Sequence, residues 1–250
     1  MIFWFKKKQA VLDCFTPHSY IQELYPIGKA SHHYPEWFTN LPKPDILNHD
    51  REYWTNMKKC VGFLNYFKES IAMPFWENAA IRYTQNNIRV DSQIGITTHD
   101  KSQFTGFLDD TYQHIKISTP WIFKANVKTK FIQTFPIWCY QSESILERII
   151  HCPGITDFYY QHSTNVNLFL KRPTRITSES GILNAGVPLV FFTPLEDIKI
   201  KIKNHYVDSI EFENLKKSYP GMPGKLSAYF IAKRDRDKAD KQKKCPFHFK

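Results

Sequence analysis

The run Ile198-Lys199-Ile200-Lys201-Ile202-Lys203 decides how the chain is read. Strict alternation at period two sends three isoleucines to one face and three lysines to the other, the signature of an extended strand; a helix would scatter both sets around its axis. One face must be buried and the other wet. A row of lysines on the wet face marks an outer or edge strand, where positive charge also discourages a second chain from pairing.

Working upstream, the same β-forming composition recurs in His114–Ser118, Trp121–Ala125, Lys128–Phe135, Ile137–Tyr140, Val166–Leu170 and Leu189–Phe192, punctuated by Pro and Gly. Ala80-Ile81-Arg82-Tyr83 and Ile88-Arg89-Val90-Asp91 flank Gln85-Asn86-Asn87, and asparagine tolerates the positive φ of a hairpin turn. Gln9–Phe15 adds an early strand, after which Thr16-Pro17 supplies an N-cap and a first-turn proline for a brief helix through Leu24. Short, evenly spaced strands without long helical crossovers predict a mainly β (α+β) fold, an antiparallel β-sandwich or barrel with short peripheral helices.

Fifteen prolines keep the helices short. One is expected from about Tyr53 to Glu69, with Met57, Cys60, Val61, Leu64 and Phe67 on its buried face. Two more are expected across Ser209–Ser218 and from Lys225 to about Asp240, the last running into a helical, basic C-terminal tail. Tyr25–Asp50, rich in Pro, His, Asn and Trp, reads as an extended arm with one helical turn packed down by Trp37 and Leu41. The expected organisation is one structural domain: residues 1–52 as strand, short helix and arm, 53–207 as β-rich core with one leading helix, and 208–250 as helices and basic tail.

Aromatics make up 16% of the chain, with 20 Phe, 13 Tyr and 6 Trp, enough apolar area to offset the entropy of ordering. The formal charge is +10, but residues 233–250 hold eight Lys/Arg against three Asp, so half the excess lies in the tail. Five cysteines, Cys14, Cys60, Cys139, Cys152 and Cys245, form no C-x-x-C pair, which predicts a reducing compartment. In Met1–Lys8 the lysines follow a very short apolar run, which predicts neither a signal peptide nor a membrane span.

Ten histidines prompt a search for metal-ligand spacing. His32-His33 are adjacent, His99-Asp100 lacks the intervening residue that would put both on one strand face, and no H-E-x-x-H occurs. His151-Cys152 and Cys245…His248 read as a turn and a packing tail. No G-x-S-x-G elbow, phosphate loop or dinucleotide loop is present, and Gly221-Met222-Pro223-Gly224 reads as a turn. Asp109-Asp110 and Glu143/Glu147 read as solvated carboxylates. No cofactor, metal or catalytic residue is expected, and the balance leans away from an enzyme.

Three stretches carry a resemblance: Pro35-Glu36-Trp37-Phe38-Thr39-Asn40-Leu41-Pro42; Met57 through Phe67 with Ile71-Ala72-Met73-Pro74-Phe75-Trp76; and Thr119-Pro120-Trp121-Ile122-Phe123. Together they resemble uncharacterised proteins of tailed bacteriophages infecting marine bacteria and cyanobacteria, over roughly residues 20–205. The resemblance implies a phage origin, a setting in the host cytoplasm or virion, and a turn at Ala185-Gly186-Val187-Pro188 feeding a buried strand. It implies no activity, and residues 143–164 depart from the family's pattern.

The function expected first is a phage-encoded, non-enzymatic structural or interaction protein, a virion component contacting other phage proteins or itself. Its anchors would be Trp37 and Phe38 in the arm and Phe247 and Phe249 in the tail. The alternative is a small-molecule or nucleotide-binding β-barrel with a ligand in its mouth, near His99, Asp100, Gln103, His114 and His162. A second alternative is weak, non-specific nucleic-acid contact through Lys233, Arg234, Arg236, Lys241, Lys243 and Lys244. No membrane partner is expected.

Overall fold

The computed structural model describes residues 8–42, 56–84, 88–92, 95–98, 111–140, 149–160, 163–172, 179–217 and 226–244. The first half runs β1 (Lys8–Thr16), α1 (Ser19–Leu24), β2 (Gly28–Lys29), α2 (Glu36–Thr39), α3 (Val61–Glu69), β3 (Ile71–Pro74), β4 (Ala79–Tyr83), β5 (Ile88–Asp91), β6 (Ile96–Thr98), β7 (Tyr112–Ser118) and β8 (Ile122–Ala125). It continues with β9 (Phe131–Thr134), β10 (Ile149–His151), β11 (Gly154–Thr156), β12 (Asn165–Lys171), β13 (Glu179–Leu183), β14 (Pro188–Pro194), β15 (Ile198–Tyr206), α4 (Ser209–Lys217) and α5 (Leu226–Lys244).

Among the described residues four sheets form, in the orders β15-β1-β8, β10-β12-β7-β6, β11-β9-β14-β3-β2 and β13-β4-β5. The architecture is β-rich and sandwich-like, and among the described residues no sheet closes into a barrel. One buried cluster unites them, with Leu12, Met73, Ile81 and Ile117 each contributed by a different sheet. The alternating run forms β15 at the edge of its sheet, isoleucines inward and Lys199, Lys201 and Lys203 exposed. Its partner was not foreseen: β15 lies parallel to β1, in the register Ala10↔Ile200 and Leu12↔Ile202, where antiparallel pairing was expected throughout. Long connection, not a hairpin, joins these two strands, so parallel pairing is sterically open to them.

Side-chain amides extend this sheet past its backbone ladder. Asn204 Oδ1 accepts from Ile27 N at 3.2 Å while its Nδ2 donates to Ile27 O at 2.9 Å, so one side chain stands in for a strand partner. Asn126 works similarly, accepting from Val11 N at 2.8 Å and donating its own backbone N to Val11 O at 3.1 Å.

β3 and β14 are buried on both faces. Met73, Val190 and Phe192 enter the main core, whereas Ala72 and Phe191 face a second cluster under α3. The same two chain segments pair again as β4 and β13, so they form one ribbon folded over at 75–78 and 184–187. The corner is tied by Phe75 N to Val187 O at 2.8 Å, Gly186 N to Phe75 O at 2.7 Å and Ala185 N to Asn78 Oδ1 at 2.8 Å. Gly186 sits at φ 84°, a conformation that a side chain would strain. The predicted turn therefore exists, but it carries the ribbon between sheets.

Three expected elements differ. The helix through Met57 and Cys60 is interrupted: Met57–Lys59 forms one 3-10 turn capped by Asn56, Cys60 is extended, and α3 starts at Val61. Its buried face is therefore Phe63, Tyr66 and Phe67, while Val61 is 67% exposed. Ile137–Cys139 is a 3-10 turn instead of a strand, entered through Pro136 at φ −83° and ψ 68°. The first helix is capped at His18, because Thr16 is held in β1 opposite Tyr206.

Asn204→Ala is expected to strand both polar groups of Ile27 and to cost about 2 kcal/mol, read from urea denaturation. A loss within error of zero would show that the amide bracket is ornamental.

Candidate functional site

The basic helix is fastened to the body by two tyrosines. After β11 the Asp157 carboxylate accepts from Tyr159 N at 3.1 Å and its carbonyl from Tyr160 N at 3.0 Å. This turn presents the two rings edge to face, their centroids 5.0 Å apart. Across them α5 lays Lys233, Arg236, Asp237 and Asp240, spaced three and four apart on one side of the helix. Asp237 accepts from the Tyr160 hydroxyl and Asp240 from the Tyr159 hydroxyl, each at 2.5 Å. The Arg236 guanidinium lies 4.0 Å above the Tyr159 ring and Lys233 Nζ 5.7 Å from that of Tyr160, within cation–π reach. Lys128, between β8 and β9, donates from the body to Asp237 Oδ1.

These partners set the titration behaviour. The Lys128 ammonium and then the Tyr160 hydroxyl hold the Asp237 carboxyl below its ordinary range. Burial first, then the Asp237 carboxylate, push the Tyr160 phenol up to about 12. Asp157 is raised mainly by burial.

A cleft of about 520 Å³ opens where α1 meets the ribbon's corner, lined by Tyr20, Trp76, Glu77, Asn78, Asp91 and Ser92. The Ser92 hydroxyl donates to Glu77 Oε1 at 2.6 Å, and Arg89 Nε lies 3.0 Å from Asp91 Oδ1. Burial and the Glu77 charge raise the Tyr20 phenol. The lining combines two carboxylates with the exposed Tyr20 ring, which suits a cation better than a phosphate.

A third feature is the aromatic cluster over Phe191. Tyr34 stacks on both Phe38 and Phe67, and Phe63 packs against Trp37, Phe38, Phe67 and Trp138. Trp37 Nε1 donates to Trp138 O at 3.0 Å, and Lys58 Nζ donates to Thr39 O at 2.9 Å and to Leu41 O. Around this base Trp37, Met57, Val61 and Ile137 are exposed.

The expected anchors divide accordingly. Trp37 is 40% exposed, but Phe38 is only 5% exposed, so its ring serves the chain's own core. Phe247 and Phe249 lie outside the described residues. Of the expected ligand group, His99, Asp100, Gln103 and His162 lie outside the described residues, as do Asp109-Asp110 and Glu143/Glu147. His114 stacks on Phe169 across the sheet and approaches Asn167 Oδ1 at 3.1 Å. Without a closed barrel among the described residues there is no mouth, and the cleft lies elsewhere.

Of the tail cations, Lys233 and Arg236 turn to the tyrosines, whereas Arg234 and Lys241 are exposed; Lys243 and Lys244 fall in the last turn of α5. Lys128, Tyr159, Tyr160, Glu77 and Asp91 escaped the sequence reading. The signal present was the 233/236 and 237/240 spacing, which places two cations and two carboxylates on adjoining strips of one helix. Burial drives the Cys139 thiol up to about 12 and Cys14 higher than usual, so both stay protonated.

Among the described residues no helix is long and apolar enough to cross a membrane, and no three His, Cys, Asp or Glu side chains form a metal-binding group. Compared with protein-family models, curated proteins and solved structures, the chain matches none.

Two pH effects follow. Asp237 has a depressed folded pKa, so its contribution is complete above the ordinary 3.8 and lost as pH falls through the lower folded value. Tyr160 has a raised one, so its contribution is complete below the ordinary 10.0 and lost as pH rises through about 12. Protection factors of residues 226–244, taken relative to intrinsic exchange rates, should therefore fall at both extremes, and Asp237→Asn should lower them already at neutral pH; unchanged protection in the variant would exclude the clamp.

The second effect arises at His151 in β10, where burial lowers the imidazole to about 4 from the ordinary 6.5. Between these values the unfolded chain binds a proton that the folded chain refuses, so stability should fall as pH drops from 6.5 to 4. Replacing His151 by Leu should flatten that slope in denaturation curves taken across the window. An unchanged slope would assign it to other groups.

Proposed function

We propose that the chain is a non-enzymatic structural or interaction protein of a tailed phage, acting in the host cytoplasm or virion on other phage proteins or on further copies of itself. The observation that carries the reading is the exposure of four large apolar side chains, Trp37, Met57, Val61 and Ile137, on the segments that build the aromatic cluster over Phe191. Beneath it the indole of Trp37 is tied to Trp138 and backed by Phe63, so the anchor loses little entropy when covered. Rigid aromatic residues of this kind dominate binding energy at protein interfaces. The three stretches quoted for the phage resemblance include Trp37 and α3 as far as Phe67.

The protein is expected in purified virions by mass spectrometry, or as a concentration-dependent oligomer by light scattering. Val61→Glu should weaken the assembly by about tenfold or more, the equivalent of about 1.4 kcal/mol. A chain that stays monomeric at the highest attainable concentration and is missing from virions would sink the proposal.

The cleft favours a second reading, a protein that binds a small ammonium ligand between Tyr20 and Glu77. A ligand at about a hundred times its Kd raises stability by about 2.7 kcal/mol. A panel of primary and quaternary amines that leaves the melting temperature unmoved would discard this reading.

A further inference from the structure

The lysines of β15 stand outside the fold's own ion pairing. Lys199, Lys201 and Lys203 are exposed, and among the described residues none of them meets a carboxylate. Residues two apart on a strand are separated by about 6.7 Å, so the three lysines leave the strand at even intervals along one face. That stride is comparable with the step between successive phosphates of an extended single strand.

The rest of the sheet adds to the row. In the register of the pairings, Lys203 lies across Asp13 and Asp13 across Lys124 of β8, so Lys124 belongs to the same outer face. Asp13 Oδ1 is occupied by His205 Nε2 at 2.8 Å. Among the described residues of these three strands, four lysines thus share the outer face with one carboxylate that already has a partner. The row ends on His205 stacked against Phe15, centroids 4.8 Å apart and planes 19° apart, a flat aromatic element of the sort on which bases stack.

We infer that the outer face of the β15-β1-β8 sheet binds single-stranded nucleic acid. Lys199, Lys201 and Lys203 follow the phosphates, Lys124 widens the positive strip, and the Phe15–His205 pair meets a base at its end. Charge complementarity supplies the affinity, so contact is independent of sequence and sensitive to salt. The alternative role for such lysines is to guard a sheet edge against a second chain, which requires no nucleic acid.

Fluorescence anisotropy of a labelled oligothymidylate, titrated with the full chain, separates the two. With four lysines at about 0.7 each, log Kobs should fall with log salt at a slope of about −2.8, roughly fiftyfold between about 50 and 200 mM. The triple variant Lys199→Gln, Lys201→Gln, Lys203→Gln should keep the far-UV spectrum and lose about 2 from the slope. The α5 variant Arg234→Gln, Lys238→Gln, Lys241→Gln should leave it unchanged. Three results would overturn the assignment: no salt-dependent binding by the wild type, a slope lost in the α5 variant in place of the β15 variant, or poly-glutamate competing as well as the oligonucleotide.

Discussion

Everything else in the structure depends on the pairing of β1 with β15. The first and last of the described strands lie side by side, and β1 is then flanked on its other edge by β8. Side chains alternate across a sheet, so the register that buries Ala10, Leu12 and Ile200 must also expose Lys199, Lys201 and Lys203. Slipping the register by one residue would drive three ammonium groups into the core and the isoleucines into water. Hydrophobic burial therefore selects one register, and the lysine face is its consequence. The long loop closed by this pair also implies that it forms late, after local pairings have reduced its entropic cost.

The second constraint is the folded ribbon of β3–β4 and β13–β14. Because β3 and β14 are covered on both faces, the ribbon joins the main core to the aromatic cluster beneath α3. Bending it between sheets leaves a corner that backbone hydrogen bonds, Asn78 and Gly186 hold in shape. The cleft is a product of that corner. Trp76, at 1% exposure, fills the inside of the bend while contributing to the cleft's lining. Fold geometry and the candidate small-molecule site are thus one arrangement, whereas the tyrosine clamp for α5 and the apolar patch around Trp37 lie on separate parts of the chain.

Much of the β architecture was legible because period-two alternation is a local signal. β15, the β4–β5 pair, β7 and β12 follow from it, whereas β14 was marked by a short run of bulky apolar residues and α4 by helix start and stop signals. The parallel partner of β15 was not legible, since nothing in either strand records which distant strand it will meet. The leading helix failed for a local reason: helical spacing of apolar residues continues through Cys60, but the backbone there is extended. Its true buried side was hidden by an excess of apolar residues, so Phe63 and Phe67 could not be ranked above Val61. At the sites the limit was distance. Lys128, Tyr160 and Asp237 come from three separate segments, and only the fold converts a mixed-charge helix into a docking stripe.

The claim that the β1–β15 register organises the molecule is tested most directly by residue-resolved hydrogen exchange under native conditions. The amides of β1 that bond to β15 should open only with global unfolding, at the same free energy as those of β14. If β1 and β15 exchange together at a much lower free energy while β14 stays protected, the pair is an appendage, and the core is organised without it.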